Sequence, residues 1–463
     1  MIAFLIILSS LWSANTDFIN ENLKSFVEFK LSNGIPVFVK QDKSSNTKGL
    51  VLLIKGGASN DTADRAGMET ATISTALYES PKYSNTDKIK ILKKTSADIS
   101  STVNFTETTY SMSSLNKYFD EVFDLYADLL LNPTFKKEYF DEVITNLKND
   151  YRHRLSDGYS RANEAFTRKF LENHPYSSKL SNLKTLDSFT LKDITLHHKN
   201  NLIASRVIIF AAGDFDIEKF KMKLENTFGK LDKGNYTKPN IPKFDKNREL
   251  PLMLDPFSEL KKDTSYIRCT MLAPNIGDKD YWALAIAFDV FKDLGYDIIR
   301  VNRGLVYSFS TVLRSDESNY SIVLGFKVND VWKFEQAMDD TVKQLCSGAS
   351  SIKDDNNKYK KLKDTIDFYR LAYQTEYYEG LQTSYSIAAS MASSYVITGD
   401  YKFYLYTVDK INRITVKEIV TAAKKYIRDT KRYCAISASP EVAEEIKKNN
   451  PYAKNYELVK FEY

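Results

Sequence analysis

A chain of 463 residues is long enough to bury a large core, and by length alone corresponds to about three domains. Its 43% hydrophobic and 13% aromatic content excludes a disordered chain. The net charge of +5 comes from 65 basic and 60 acidic residues, too evenly mixed for the concentrated basic face of a nucleic-acid protein.

In chain order, the first element is the apolar run Ile2–Leu8 in "MIAFLIILSSLWSANTDF", followed by small residues and Ala14. It reads as a short signal peptide, residues 1–14, so the mature chain is expected to be secreted or periplasmic. No Lys or Arg precedes the run and Trp12 would stand at −3, so the other reading is a buried N-terminal strand. A mitochondrial leader would want arginines, and no basic residue precedes Lys24. The run is too short to cross a membrane, and no later segment approaches about 18 consecutive apolar residues, so no membrane span is expected.

"GLVLLIKGGASND", Gly49–Asp61, predicts a strand ending in Gly-Gly. "GMETATISTAL", Gly67–Leu77, predicts a helix of small residues suited to close packing. Tyr139, Phe140, Val143, Ile144, Leu147 and Tyr151 recur at helical spacing. Two distant segments then resemble each other: Phe189-Thr-Leu-Lys-Asp-Ile194 and Ile414-Thr-Val-Lys-Glu-Ile419. In each the Thr is placed to cap a helix, and each helix leads to a strand-like run, "RVIIFAAG" or "YCAISAS". The copies lie about half a chain apart, too far for a solenoid and right for a duplicated domain. Between them, residues 229–263 hold four prolines and many charges and read as a linker. The lysines from Lys358 to Lys363 read as a solvated helix face.

The four histidines, His153, His174, His197 and His198, offer no natural zinc pair. Adjacent His197 and His198 would diverge by about 100° on a helix, and His174, before Pro175, reads as a turn residue. The three cysteines, Cys269, Cys346 and Cys434, form no CxxC pair. One disulfide is compatible with them, and the sequence leaves it open.

The order of several segments resembles the insulinase or pitrilysin family of zinc peptidases. They are "LSNGIPVFVKQDKSSNTKGLVLLIKGGASND", the helix after Ala66-Gly67, "LLLNPTFKKEYFDEV", "HPYSS" at His174–Ser178, "AAGDFD" at Ala211–Asp216, and "RVNRGLVYSFS" at Arg300–Ser310. The resemblance implies an α+β fold of two tandem homologous domains, residues 25–228 and 264–463. Each would be a mixed sheet backed by helices, together forming half of a clamshell chamber.

Active members carry His-x-x-Glu-His on the first helix, where i and i+4 imidazoles share a face and the Glu takes a proton from metal-bound water. That pattern places Thr70 and Ser74 at the histidine positions and Ile73 at the base; the distal ligand falls near Asn149–Tyr151, where only Asp150 could bind a metal. Hydroxyls are poor zinc ligands and Ile73 cannot accept a proton. No metal or catalytic residue is therefore assigned to this chain, and alone it is expected to be inactive.

The family's second half supplies an Arg and a Tyr from a segment resembling R-x-x-K-G-L-x-Y. Here Arg300 and Tyr307 match and are the expected substrate-binding residues. "FKDLGYDIIR", with only Gly295, lacks the glycine-rich loop of the mitochondrial processing peptidase's noncatalytic chain. The resemblance implies a noncatalytic subunit of a heterodimeric metallopeptidase. Its zinc would sit in a homologous partner, and its substrate would be a peptide or unfolded protein. The alternative is a structural or peptide-binding homologue with no role in proteolysis.

Overall fold

Gly49–Ile54 are six consecutive buried positions, the pattern of a strand covered on both faces. They lie in β3 (Thr47–Lys55) of a six-stranded sheet in the computed structural model, which describes residues 19, 21–314, 322–452 and 454–461. The expected signal peptide lies outside the described residues. The other strands are β1 (Phe26–Lys30), β2 (Pro36–Gln41), β4 (Asp98–Val103), β5 (Glu107–Leu115) and β6 (Val207–Gly213). The order is β1-β2-β6-β3-β5-β4, with β2 and β6 parallel and the other pairs antiparallel.

The period-two alternation divides β3 between two cores. Leu50, Leu52 and Ile54 join Val207, Ile209 and Ala211 of β6 in one. Val51 and Leu53 join Ile208, Phe210 and Ala212 in the other. Helix α1 (Met68–Ala76) contributes Ile73 to the first core. The second core is closed by Ala388, Met391 and Ala392 of a helix far along the chain, Ser384–Thr398.

This first unit comprises the chain through Lys148, Pro175–Asn240 and Glu376–Asp409. The second comprises Asn149–His174, Ile241–Thr375 and Lys410–Tyr463. Each thus draws its covering helix from the other sequence half. α2 (Lys137–Arg154) carries the predicted apolar stripe, with Phe140, Val143 and Tyr151 buried. α3 (Gly158–Phe170) belongs to the second unit.

The second unit's sheet contains β7 (Leu252–Pro256), β8 (Ser265–Thr270), β9 (Ser310–Leu313), β10 (Ile322–Val328), β13 (Tyr433–Ala438) and β14 (Tyr456–Leu458), in the order β14-β7-β13-β8-β10-β9. A separate hairpin joins β11 (Ala349–Lys353) and β12 (Tyr359–Lys361). As in the first sheet, a parallel pair, here β7 and β13, is followed by antiparallel neighbours, and the outer strand β14 is also parallel to β7. The duplicated segments are α4 (Leu191–Asn201) leading to β6 and α5 (Val416–Ala423) leading to β13. Thr190 and Thr415 both cap as expected, each in a reciprocal box, with Asp193 and with Glu418.

Cys269 and Cys434 face each other across β8 and β13 and form a disulfide, which resolves the pairing the sequence left open. On α3, Arg161 donates two 2.7 Å bonds to Asp255 of β7, whose carboxylate also accepts from Ser437 at 2.7 Å. Two local expectations change. The Pro-rich stretch 229–263 contains β7, whose Leu252 and Leu254 are fully buried; three core residues outweigh the charged flanks. The Lys358–Lys363 run is partly strand β12 rather than helix, with Tyr359 and Leu362 turned inward and the lysines exposed.

Candidate functional site

In α1, Thr70 and Ser74 lie one turn apart on a half-buried face, and Ile73 is buried in the first core. Two hydroxyls and an isobutyl-sized apolar side chain occupy the positions that a metal helix fills with imidazoles and a carboxylate. They do not fit zinc. Asn149 and Asp150 are exposed near the end of α2, and Tyr151 is buried.

A polar cluster that the sequence did not reveal stands beside this helix. Glu69 is buried; it accepts from Thr108 at 2.6 Å and pairs with His197 Nε2 at 2.7 Å. The other imidazole nitrogen, Nδ1, lies 3.5 Å from Asp61. Among the described residues, Asp61, Glu69 and His197 are the one group of three metal-ligating side chains within mutual reach. Their geometry is that of a buried polar cluster: His197 addresses the two carboxylates with opposite nitrogens, whereas a single metal ion takes one nitrogen per imidazole. The neighbouring cavity, lined by Glu69, Thr72, Ile73 and His197, holds only about 20 Å³, room for one water and none for a substrate carbonyl.

Burial pushes the Asp61 carboxyl up to about 6, aided by the nearby Glu69 charge and opposed by His197. Burial also works to raise Glu69, but His197, Arg206 and Thr108 together hold it below the usual carboxylate range. Arg206 is almost fully buried, tied to the carbonyls of Lys55 and Asn201. His198 turns away from its neighbour and meets the Leu130 carbonyl at 2.8 Å. His174 is buried against Phe244, with Nε2 3.0 Å from the Pro242 carbonyl. No pairwise spacing signals the Glu69–His197 contact, because it joins residues 128 apart in sequence.

The second unit brings Arg300 and Tyr307 together. The helix Tyr281–Gly295 runs into a π-helical turn, Tyr296–Asn302, which carries Arg300. Gly304 then takes φ = 60°, a left-handed conformation glycine adopts without strain. The chain next forms a bridge from Val306 to Val328 and presents Tyr307, 78% exposed. The Arg300 guanidinium lies 5.3 Å from the centre of the Tyr307 ring. Both line a cleft of about 700 Å³ whose walls include Tyr159, Tyr266, Gly325 and Lys327. This arrangement can bind and polarise a carbonyl, and the described lining holds no carboxylate or imidazole to activate water.

Two family models match successive stretches of the chain. The model described as "Insulinase (Peptidase family M16)" matches residues 37–183, and "Peptidase M16 inactive domain" matches residues 188–355. No curated protein is similar to the chain at the level of sequence. Among solved structures, the peptidase M16 inactive domain from Pseudomonas fluorescens aligns with TM-score 0.76 at 14% identity, covering 93% of this chain and 100% of that one. A protease from Helicobacter pylori gives 0.75 at 16%, covering 90% and 99%. The periplasmic protease PqqL from Escherichia coli gives 0.69 at 15%, covering 90% of this chain and 45% of the other. With both family domains in order and the His-x-x-Glu-His positions filled by Thr70, Ile73 and Ser74, the chain belongs to the M16 peptidase family as a noncatalytic homologue.

Proposed function

We propose that this chain is the zinc-lacking subunit of a two-chain M16-type metallopeptidase, binding extended peptide beside a homologous zinc-bearing chain. The observation that carries this reading is the pairing of Arg300 and Tyr307 in an open cleft, in a chain whose metal helix has lost every ligand. A guanidinium and a phenol hydroxyl support a peptide carbonyl as it acquires negative charge, provided that the nucleophile comes from elsewhere. The likeness to under half the length of a periplasmic protease is consistent with a function divided between two such halves. β4 and β9 end their sheets and offer main-chain donors and acceptors to an extended strand. The Cys269–Cys434 disulfide suits an oxidising compartment and agrees with the expected secreted or periplasmic location.

The test is turnover by the reconstituted pair. Arg300→Ala and Tyr307→Phe should each lower kcat/KM by about tenfold or more while leaving assembly intact. Unchanged turnover in both variants would assign the chain to the alternative, a structural or peptide-binding homologue without a role in proteolysis.

A further inference from the structure

The cleft that holds Arg300 and Tyr307 also carries a charge pattern that the carbonyl-binding role does not use. Lys327 of β10 lies on its wall, with Nζ 5.9 Å from the centre of the Tyr266 ring. Lys327 pairs with Tyr266 across β10 and β8, so both project from the same face of the sheet. Two glycines let the tyrosines close in. A Cβ on Gly158 would stand 2.4 Å from the Tyr266 ring, and one on Gly325 would stand 2.3 Å from the Tyr159 ring. The described walls are thus rich in aromatic rings, and the two formal charges among the described lining residues, Arg300 and Lys327, are both positive.

The described lining contains no carboxylate, and among the described residues neither Arg300 nor Lys327 forms an ion pair. Asp157, at the start of α3, is engaged in capping: its carboxylate accepts from the amides of Tyr159 and Ser160 at 3.0 Å each. Asp255 is likewise committed to Arg161 and Ser437. Cations with no counter-charge among the described residues, set among aromatic faces and hydroxyls, favour an anionic group over a neutral one of the same shape.

We propose that this cleft selects an acidic side chain, so that the substrate class is an extended peptide bearing Asp or Glu close to the bond presented for cleavage. Arg300 and Tyr307 address the carbonyl, and Lys327 addresses the neighbouring carboxylate. The proposal rests on the peptide-binding reading above and adds a preference to it.

The test uses the purified full-length chain and ten-residue fluorescent peptides, blocked at both ends, neutral except for one central residue: Glu, Gln or Lys. Sliding of the extended peptide brings that residue to the cleft in any register. Binding is read by anisotropy. The Glu peptide should bind about fivefold or more tightly than the Gln peptide, and the margin should shrink as salt is raised. Lys327→Gln should remove the margin, and Lys327→Glu should turn the preference toward the Lys peptide. Lys327 is exposed, and thermal unfolding checks that each variant folds. Equal affinity for all three peptides would overturn the charge preference and leave peptide binding standing. Failure of every peptide to bind would overturn the peptide-binding reading itself.

Discussion

The Asp61–His197–Glu69 cluster sets two carboxylates against one buried imidazole, and the titration of Asp61 is a direct probe of that arrangement. Asp61 holds its proton in the folded chain up to a pH of about 6, against 3.8 for an unperturbed carboxyl. The folded state therefore binds this proton more tightly than the unfolded state. The resulting stability is complete below about pH 3.8 and is lost as pH rises towards 6. Glu69, held low, contributes in the opposite sense, losing stability as pH falls. Asp61→Asn should remove only the first contribution. Relative to this variant, the wild type should lose about 2 kcal/mol between pH 4 and 6 in urea unfolding. A difference between the two proteins that stays constant with pH would contradict the assignment. At this scale the sequence showed what was missing, since Thr70, Ile73 and Ser74 can be read directly. It did not show what was gained. Glu69 looks like one acidic residue in a helix of small ones until folding brings β5 and α4 beside it.

At the scale of elements, capping was legible and cross-chain closure was not. Thr190 and Thr415 announced their helices because an N-cap hydroxyl and an acid three residues later act locally. Strands β3, β6 and β13 were legible as apolar runs between turn residues. β7 was hidden because Pro251, Pro256 and the charged neighbours mask a short core segment. No local pattern shows that Ser384–Thr398 covers β3, although Gly49 records it. A Cβ there would lie 2.4 Å from the Tyr385 backbone. Backbone cannot yield as a flexible side chain can. Gly49→Ala should therefore cost roughly 2–3 kcal/mol and lower Tm by several degrees; an unchanged Tm would mean that this helix does not seat on β3. The bond between β8 and β13 joins residues 165 apart, so it restricts a long loop in the unfolded chain. Cys434→Ser should lower stability by roughly 3 kcal/mol in denaturant unfolding, whereas equal midpoints would show that the bond contributes no net stability.

For the whole molecule, the duplication seen in two short segments extends to the strand order of both sheets. The exceptions are the outer strands, β1, antiparallel to β2, and β14, parallel to β7. The sequence conveyed the repeat because capping and strand patterns recur at matching positions. It could not convey that each compact unit takes a covering helix from the other half of the chain, since that exchange depends on long-range packing. One unit carries Thr70, Ile73 and Ser74 on α1 and the other presents the Arg300–Tyr307 cleft, and the proposed division of labour with a zinc-bearing partner rests on that pair of features. The most direct measurement is affinity purification of the tagged chain from its native extract, with mass spectrometry of the proteins retained. The account predicts a stoichiometric homologue that carries His-x-x-Glu-His. Recovery of the chain alone, or only with unrelated proteins, would contradict it.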